Sequence, residues 1–192
     1  MKELEERIRQ EGRVLPGDIL KVDGFLNHQV DAALIDRMAQ EIIREFKDQR
    51  IDRIMTVEAS GISLAQSTAL HLGVPFVFAK KAVSGNIGAD VYAAPAYSYT
   101  YGRPYEMVVS RNYLHAGEHV LLVDDFLADG RSASAMIDIC HQAGAIVEGL
   151  CVCIEKGFQP GGKKLRESGI KVFSLAVIEE MDEDHIVFGT RE

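Results

Sequence analysis

One stretch limits the fold more than any other: HVLLVDDFLADGRSASAMIDICHQAGAIVEGLCVCIE, residues 119–155. An apolar run of strand type reaches two adjacent aspartates and turns through Ala-Asp-Gly-Arg-Ser. A helical pattern then runs to Gly144, where a second apolar run begins. Strand, helix and strand at this spacing predict a right-handed crossover between parallel strands. The alternation recurs upstream. DAALIDRMAQEIIREFK (31–47) places Leu34, Ile35, Met38, Ile42 and Phe46 on one helical face behind Asp31 as cap. RIMTVE (53–58) reads as a buried strand, GISLAQSTALHLG (61–73) as a helix closed by Gly73, and VPFVFA (74–79) and KVFSLAVI (171–178) as further strands. The expected class is α/β, a parallel sheet flanked by helices.

The 192 residues suit one domain, 1–192, long enough to bury a full core. No apolar run approaches the ~20 residues that cross a bilayer. MKELEERIRQEGR at the start is charged and lacks the apolar stretch of a secretory signal. A formal charge of −8 argues against nonspecific nucleic-acid binding, which feeds on basic surface. Three cysteines do not suggest a disulfide framework. Cys151 and Cys153 share one side of a strand. A metal pair there would need a second ligand pair that the sequence does not offer, so buried reduced thiols are the expectation, with the cytoplasm as compartment.

Residues 84–106, SGNIGADVYAAPAYSYTYGRPYE, break the rhythm. The stretch is too long for a routine connection and carries Tyr97, Tyr99 and Tyr101 in alternation. It reads as a mobile lead-in followed by a β-ribbon that turns at GRP into YEMVVS.

In open parallel sheets ligands bind beyond the carboxyl ends of strands. Three such ends carry unusual residues: VEASGIS with Ala59, Ser60 and Gly61; FAKK with Lys80 and Lys81; and the acidic pair with its turn. A helix start offers unpaired N–H groups and the positive end of a dipole, so the turn Asp129-Gly130-Arg131-Ser132 suits a phosphate. Asp124 and Asp125 suit vicinal hydroxyls or a hydrated Mg²⁺. A sugar phosphate satisfies both halves.

VLLVDDFLADGRSA resembles the phosphoribosyl-diphosphate signature of the type I phosphoribosyltransferases. GDILKVDGFLNHQVD (17–31), VEASGI (57–62) and IEKGFQPGG (154–162) extend the likeness to the xanthine-using, purine-salvage branch of that family. There is no G-x-G-x-x-G, so a Rossmann dinucleotide site is not indicated. The resemblance implies that Ala128, Asp129, Gly130, Arg131 and Ser132, with Ala133, bind the 5-phosphate. It implies that Asp124 and Asp125 approach the ribose hydroxyls, and that Ala59, Ser60 and Gly61, with Lys80 or Lys81, meet the diphosphate. The base pocket would be Leu20, Asn27 and Lys156. Segments 1–30 and 156–192 would form a hood, and 84–106 a loop that closes over the reactants. Mg²⁺ bound with the diphosphate substrate, a homodimer, no nucleic-acid partner and no membrane partner complete what it implies.

Two positions qualify it. Asp129 stands where many relatives carry a residue that can donate to phosphate, and an ionised carboxylate cannot. Either its side chain turns outward or phosphate affinity is modest. Ala128 offers no side-chain base, so no catalytic residue is assigned. A preference for guanine, hypoxanthine or adenine would change only the base pocket. A phosphoribosyl-diphosphate-sensing regulator would need a basic DNA-binding domain, for which this acidic chain has no room before residue 14.

Overall fold

The computed structural model describes residues 1–81, 90–98 and 103–190. Helix α1 (Lys2–Glu11) precedes a small hairpin, β1 (Arg13–Leu15) and β2 (Ile19–Lys21), and a single helical turn at Asp23–Asn27. Helix α2 (Ala32–Glu45) begins at Asp31, whose side chain accepts the Leu34 N–H at 3.0 Å, as the cap pattern predicts. Then come β3 (Arg53–Val57), α3 (Ile62–Leu72), β4 (Phe76–Ala79), a two-stranded ribbon of β5 (Val91–Ser98) and β6 (Arg103–Ser110), and β7 (His119–Leu127). Helix α4 (Arg131–Ala143), β8 (Ile146–Lys156), α5 (Gly161–Glu167), β9 (Val172–Met181) and β10 (Ile186–Phe188) complete the order.

The main sheet runs β10-β9-β8-β7-β3-β4. Its pairs are parallel except β10 against β9, so the expected parallel sheet carries one antiparallel edge strand. Period-two alternation assigns each strand's side chains to two cores. Ile54, Leu121, Val123, Cys151 and Cys153 pack beneath α1, α2 and α3. Met55, Val57, Val120, Leu122, Leu150 and Val152 pack beneath α4 and the ribbon. Cys151 and Cys153 therefore share one face, and all three cysteines are buried and free. Among the described residues, no helix is long and apolar enough to cross a membrane.

The connections through α3 and α4 leave the sheet in opposite directions and cover opposite faces. The order reverses between β3 and β7, which opens a crevice beyond their carboxyl ends. The ribbon is docked at this end. Lys80 and Val108 exchange main-chain hydrogen bonds at 2.9 Å, and the Gln142 amide on α4 donates to the Ala93 carbonyl at 2.8 Å. The expected ribbon is thus present; residues 84–89 and 99–102, including Tyr99 and Tyr101, lie outside the described residues.

Helix α5 is tied down by a buried network. Glu155, 4% exposed, accepts both guanidinium nitrogens of Arg166 at 2.7 and 2.8 Å and the Ser174 hydroxyl. Arg166→Met is expected to cost about 2–4 kcal/mol in a denaturant titration, because it leaves the carboxylate buried without its partner.

Candidate active site

The parallel strands β4, β3, β7 and β8 end side by side, and a cavity of ≈ 680 Å³ lies across their carboxyl ends. Its walls include Glu58 and Ser60 after β3, Lys81 after β4, Asp124 to Ala133 from β7 into α4, Lys156 at the end of β8 and Gln159 beyond it. The β1–β2 hairpin contributes Gly17, Asp18, Ile19 and Leu20, the turn before α2 contributes Asn27, and the ribbon contributes Tyr97 and Tyr105.

At the centre is the acidic pair. Strand pairing continues through it, with Asp124 opposite Val152 and Phe126 opposite Ile154, so the acids sit inside the strand and not beyond its end. Asp124 is 5% exposed. Burial first, then the charge of Asp125, pushes its carboxyl well above the ordinary 3.8, with Lys81 opposing. Asp125 is more open. It accepts the Phe126 N–H at 3.0 Å and the Asn27 amide N–H at 3.2 Å.

The turn at 128–132 wraps the start of α4, with Gly130 at φ 86 in the left-handed region that its lack of Cβ permits. The Asp129 side chain does not turn outward. Its carboxylate accepts the Arg131 main-chain N–H at 3.1 Å and pairs with the Arg131 guanidinium at 2.8 Å. The side chain is folded onto two of the groups that the sequence reading assigns to an anion. Two ribbon tyrosines reach the same turn. The Arg131 guanidinium lies 5.1 Å from the Tyr97 ring centre, and Tyr105 lines the cavity together with Ser132.

Behind the turn, α5 begins with its main chain against the loop. The Gly161 N–H donates to the Ala128 carbonyl at 3.0 Å, and a Cβ on Gly161 would stand 2.4 Å from that oxygen and 2.6 Å from Gly130 N. At the far end, the Lys156 ammonium donates to the Asp18 carbonyl at 2.7 Å and lies 5.8 Å from the Phe126 ring centre. Burial lowers its pKa, opposed by the charge of Asp18.

Leu20, Asn27, Lys156, Asp124, Asp125, Ser60, Lys81 and residues 128–132 thus meet in one cavity. Lys80 does not line it. The main chain of Lys80 is committed to Val108, and its ammonium lies 5.9 Å from the Phe78 ring centre. Ala59 is exposed beside the cavity. Gly61 lies behind its wall, where a Cβ would stand 2.1 Å from the Thr56 hydroxyl and 3.1 Å from Asp124 Oδ1. Sequence reasoning missed Asp18, Phe126, Glu58, Tyr105 and Gln159. Tyr105 lies in the tyrosine-rich stretch, and the other four lie in the segments that carry the family resemblance.

A phosphoribosyl transferase domain model matches residues 21–192, which include every strand of the main sheet. The chain belongs to the phosphoribosyltransferase family. Among curated members, the xanthine phosphoribosyltransferase of Bifidobacterium adolescentis is 53% identical over 186 residues, covering 96% of each chain. That of Bacillus cereus is 45% identical over 192 residues, covering 100% of this chain and 98% of its own. Among solved phosphoribosyltransferases, the adenine phosphoribosyltransferase of Thermoanaerobacter pseudethanolicus superposes with a TM-score of 0.72 at 26% identity, covering 91% of this chain and 98% of its own.

Proposed function

We propose that the cavity takes both substrates of a purine-salvage transfer, with xanthine against Leu20, Asn27 and Lys156 and 5-phosphoribosyl 1-diphosphate across the strand ends. The protein is a pentosyl-transferring enzyme that makes xanthosine 5′-monophosphate and diphosphate from these two substrates. The observation that carries the placement is the sharing of one cavity by a helix-start turn, an acidic pair and a half-buried ammonium.

The 5-phosphate goes to residues 128–132, where main-chain N–H groups at the start of α4 face an anion. Arg131 serves that phosphate once Asp129 gives it up. Asp124 and Asp125 accept hydrogen bonds from the ribose hydroxyls. The diphosphate lies against the Ala59-Ser60-Gly61 turn, with Lys81 as its cation. Xanthine presents exocyclic oxygens where adenine presents an amino group, and an unpaired donor in a half-buried site rejects the wrong base. The Lys156 ammonium is that donor.

The bond from base nitrogen to anomeric carbon forms as the carbon–oxygen bond to diphosphate breaks, with inversion and oxocarbenium character, and the ring N–H proton of xanthine passes to the departing diphosphate or to water. These side chains bind, orient and exclude water, and none acts as a nucleophile. Two adjacent carboxylates suit a hydrated Mg²⁺ that the diphosphate carries. Among the described residues, no group of three or more His, Cys, Asp or Glu would hold the ion alone. Bound with substrate, Mg²⁺ neutralises charge on the leaving diphosphate.

The same reading makes the protein a cytoplasmic homodimer. Family resemblance supports the dimer, which equilibrium sedimentation tests, and three buried free cysteines support the compartment.

The test of the base placement is Lys156→Ala. Nucleotide formation from xanthine is expected to fall about 100-fold or more in kcat/KM, with hypoxanthine affected less, so that the preference flattens. An unaltered preference would remove Lys156 from the base.

A further inference from the structure

Asp125 stands where the acidic pair meets the base end of the cavity, and each of its oxygens holds one N–H. Oδ1 accepts the Phe126 main-chain N–H at 3.0 Å, and Oδ2 accepts the Asn27 side-chain N–H at 3.2 Å. An ionised carboxylate only accepts, so the Asn27 amide must direct its NH₂ group at Asp125 and its carbonyl oxygen elsewhere. Without such a partner an asparagine presents either face, because a flip exchanges donor for acceptor in almost the same space.

The main chain at Asn27 has little freedom. It ends the helical turn Asp23–Asn27, which is anchored by the fully buried Phe25 and Leu26 and closed by the Gln29 N–H on the Asp23 carbonyl at 2.8 Å. Orientation of the amide is the freedom that Asp125 removes. The base end of the cavity is left with one fixed donor, the Lys156 ammonium, and one fixed acceptor, the Asn27 carbonyl.

We infer that Asp125 is a specificity-determining positioning residue, which by fixing the Asn27 amide makes the site require a ring N–H beside a carbonyl oxygen. Oxopurines carry that edge. Adenine does not, because its ring nitrogen beside the exocyclic group is an acceptor. The inference rests on the reading that the base lies against Asn27 and Lys156. It assigns Asp125 a role beyond its contact with ribose.

The carboxamide variant gives the sharpest test, because the structure dictates how it must sit. The Phe126 N–H requires an acceptor at the Oδ1 position. In Asp125→Asn the new oxygen therefore goes there and the new NH₂ faces Asn27. Asn27 must answer with its carbonyl and offer its NH₂ to the base, which reverses the pattern.

The readout is the ratio of kcat/KM for xanthine to that for adenine at one concentration of phosphoribosyl diphosphate. Loss of a ribose contact lowers turnover with every base and cancels in this ratio. Asp125→Asn is expected to lower the ratio about tenfold or more. Asp124→Asn, which loses a ribose contact without touching Asn27, should stay within about twofold of wild type. Asp125→Ala frees the amide without reversing it and should lower the ratio by a smaller factor than Asp125→Asn. Where turnover is too slow to measure, calorimetric binding of xanthosine and adenosine 5′-monophosphates supplies the same ratio.

An unchanged ratio in Asp125→Asn, or a larger effect from the alanine, overturns the inference. Asn27→Leu separates its failure from that of the base placement. If Asn27→Leu flattens the preference while Asp125→Asn leaves it, only the orienting role is lost. If Asn27→Leu leaves the preference unmoved, the base does not lie there.

Discussion

Gly161→Ala is expected to lower both stability and kcat/KM for phosphoribosyl diphosphate, the latter about 100-fold, and Gly162→Ala to lower stability with little loss of kcat/KM. The two glycines are neighbours at the start of α5, yet a Cβ on each would meet different things. On Gly161 it would stand 2.4 Å from the Ala128 carbonyl, 2.6 Å from Gly130 N and 2.7 Å from the Asp129 carbonyl carbon. All three are main-chain atoms of the turn assigned to the 5-phosphate, and a main chain cannot rotate out of the way as a side chain can. The turn must move, and displacement of a binding group by about 1 Å is enough for a loss of that order. On Gly162 the Cβ would collide with Glu155 Oε1 and stand 2.6 Å from an Arg166 guanidinium nitrogen. That substitution breaks the ion pair that seats α5, and it should cost about 3 kcal/mol in denaturant unfolding with the turn still formed. Steady-state kinetics and unfolding curves on the two variants check the contrast. Equal loss of kcat/KM in both would contradict it.

Asp124→Asn is expected to stabilise the protein and disable it. The carboxyl is 5% exposed, and burial, followed by the Asp125 charge, raises it well above the ordinary carboxylate range. A carboxyl with a raised folded-state pKa holds its proton more tightly folded than unfolded. It therefore contributes stability in acid that is lost as pH rises through that raised pKa, and at neutral pH its buried charge is a net cost. The amide removes that cost and still accepts the Asp125 N–H that now goes to Oδ1. The melting temperature should rise by roughly 2–8 °C at pH 7, at about 2–4 °C per kcal/mol for a chain of this size. The gain should vanish in acid. The same charge is what a ribose hydroxyl pair and hydrated Mg²⁺ require, so kcat/KM should fall about 100-fold. Wild-type affinity for phosphoribosyl diphosphate should decline on acidification at a higher pH than an exposed carboxylate would give, because Asp124 protonates early. Calorimetry across pH, with kinetics alongside, checks both halves.

Local pattern carried much of this molecule. The Asp31 cap, the helix ends at Gly73 and Gly144, and the division of Cys151 and Cys153 from Leu150 and Val152 all follow from periods of 3.6 and 2 read along the chain. The acidic pair and its turn were legible for the same reason: strand, turn and helix start lie within 16 consecutive residues, 119–134. The missed features join residues far apart, which no period encodes. Asn27 meets Asp125 across 98 positions, and Lys156 meets the Asp18 carbonyl across 138. The Gly161 contact belongs to this class, since only the fold brings it against Ala128. Lys80 and Lys81 could not be told apart from sequence. Main-chain pairing of Lys80 with Val108 separates them, and that depends on where the ribbon docks.

The most direct measurement is the initial rate of nucleotide formation by the purified protein with Mg²⁺ and phosphoribosyl diphosphate, with xanthine, guanine, hypoxanthine and adenine supplied one at a time. The account predicts the highest kcat/KM with xanthine, lower values with the other oxopurines, and the least with adenine. Adenine turned over as well as xanthine would contradict the assignment of Asn27 and Lys156. No nucleotide from any base would contradict the transfer itself.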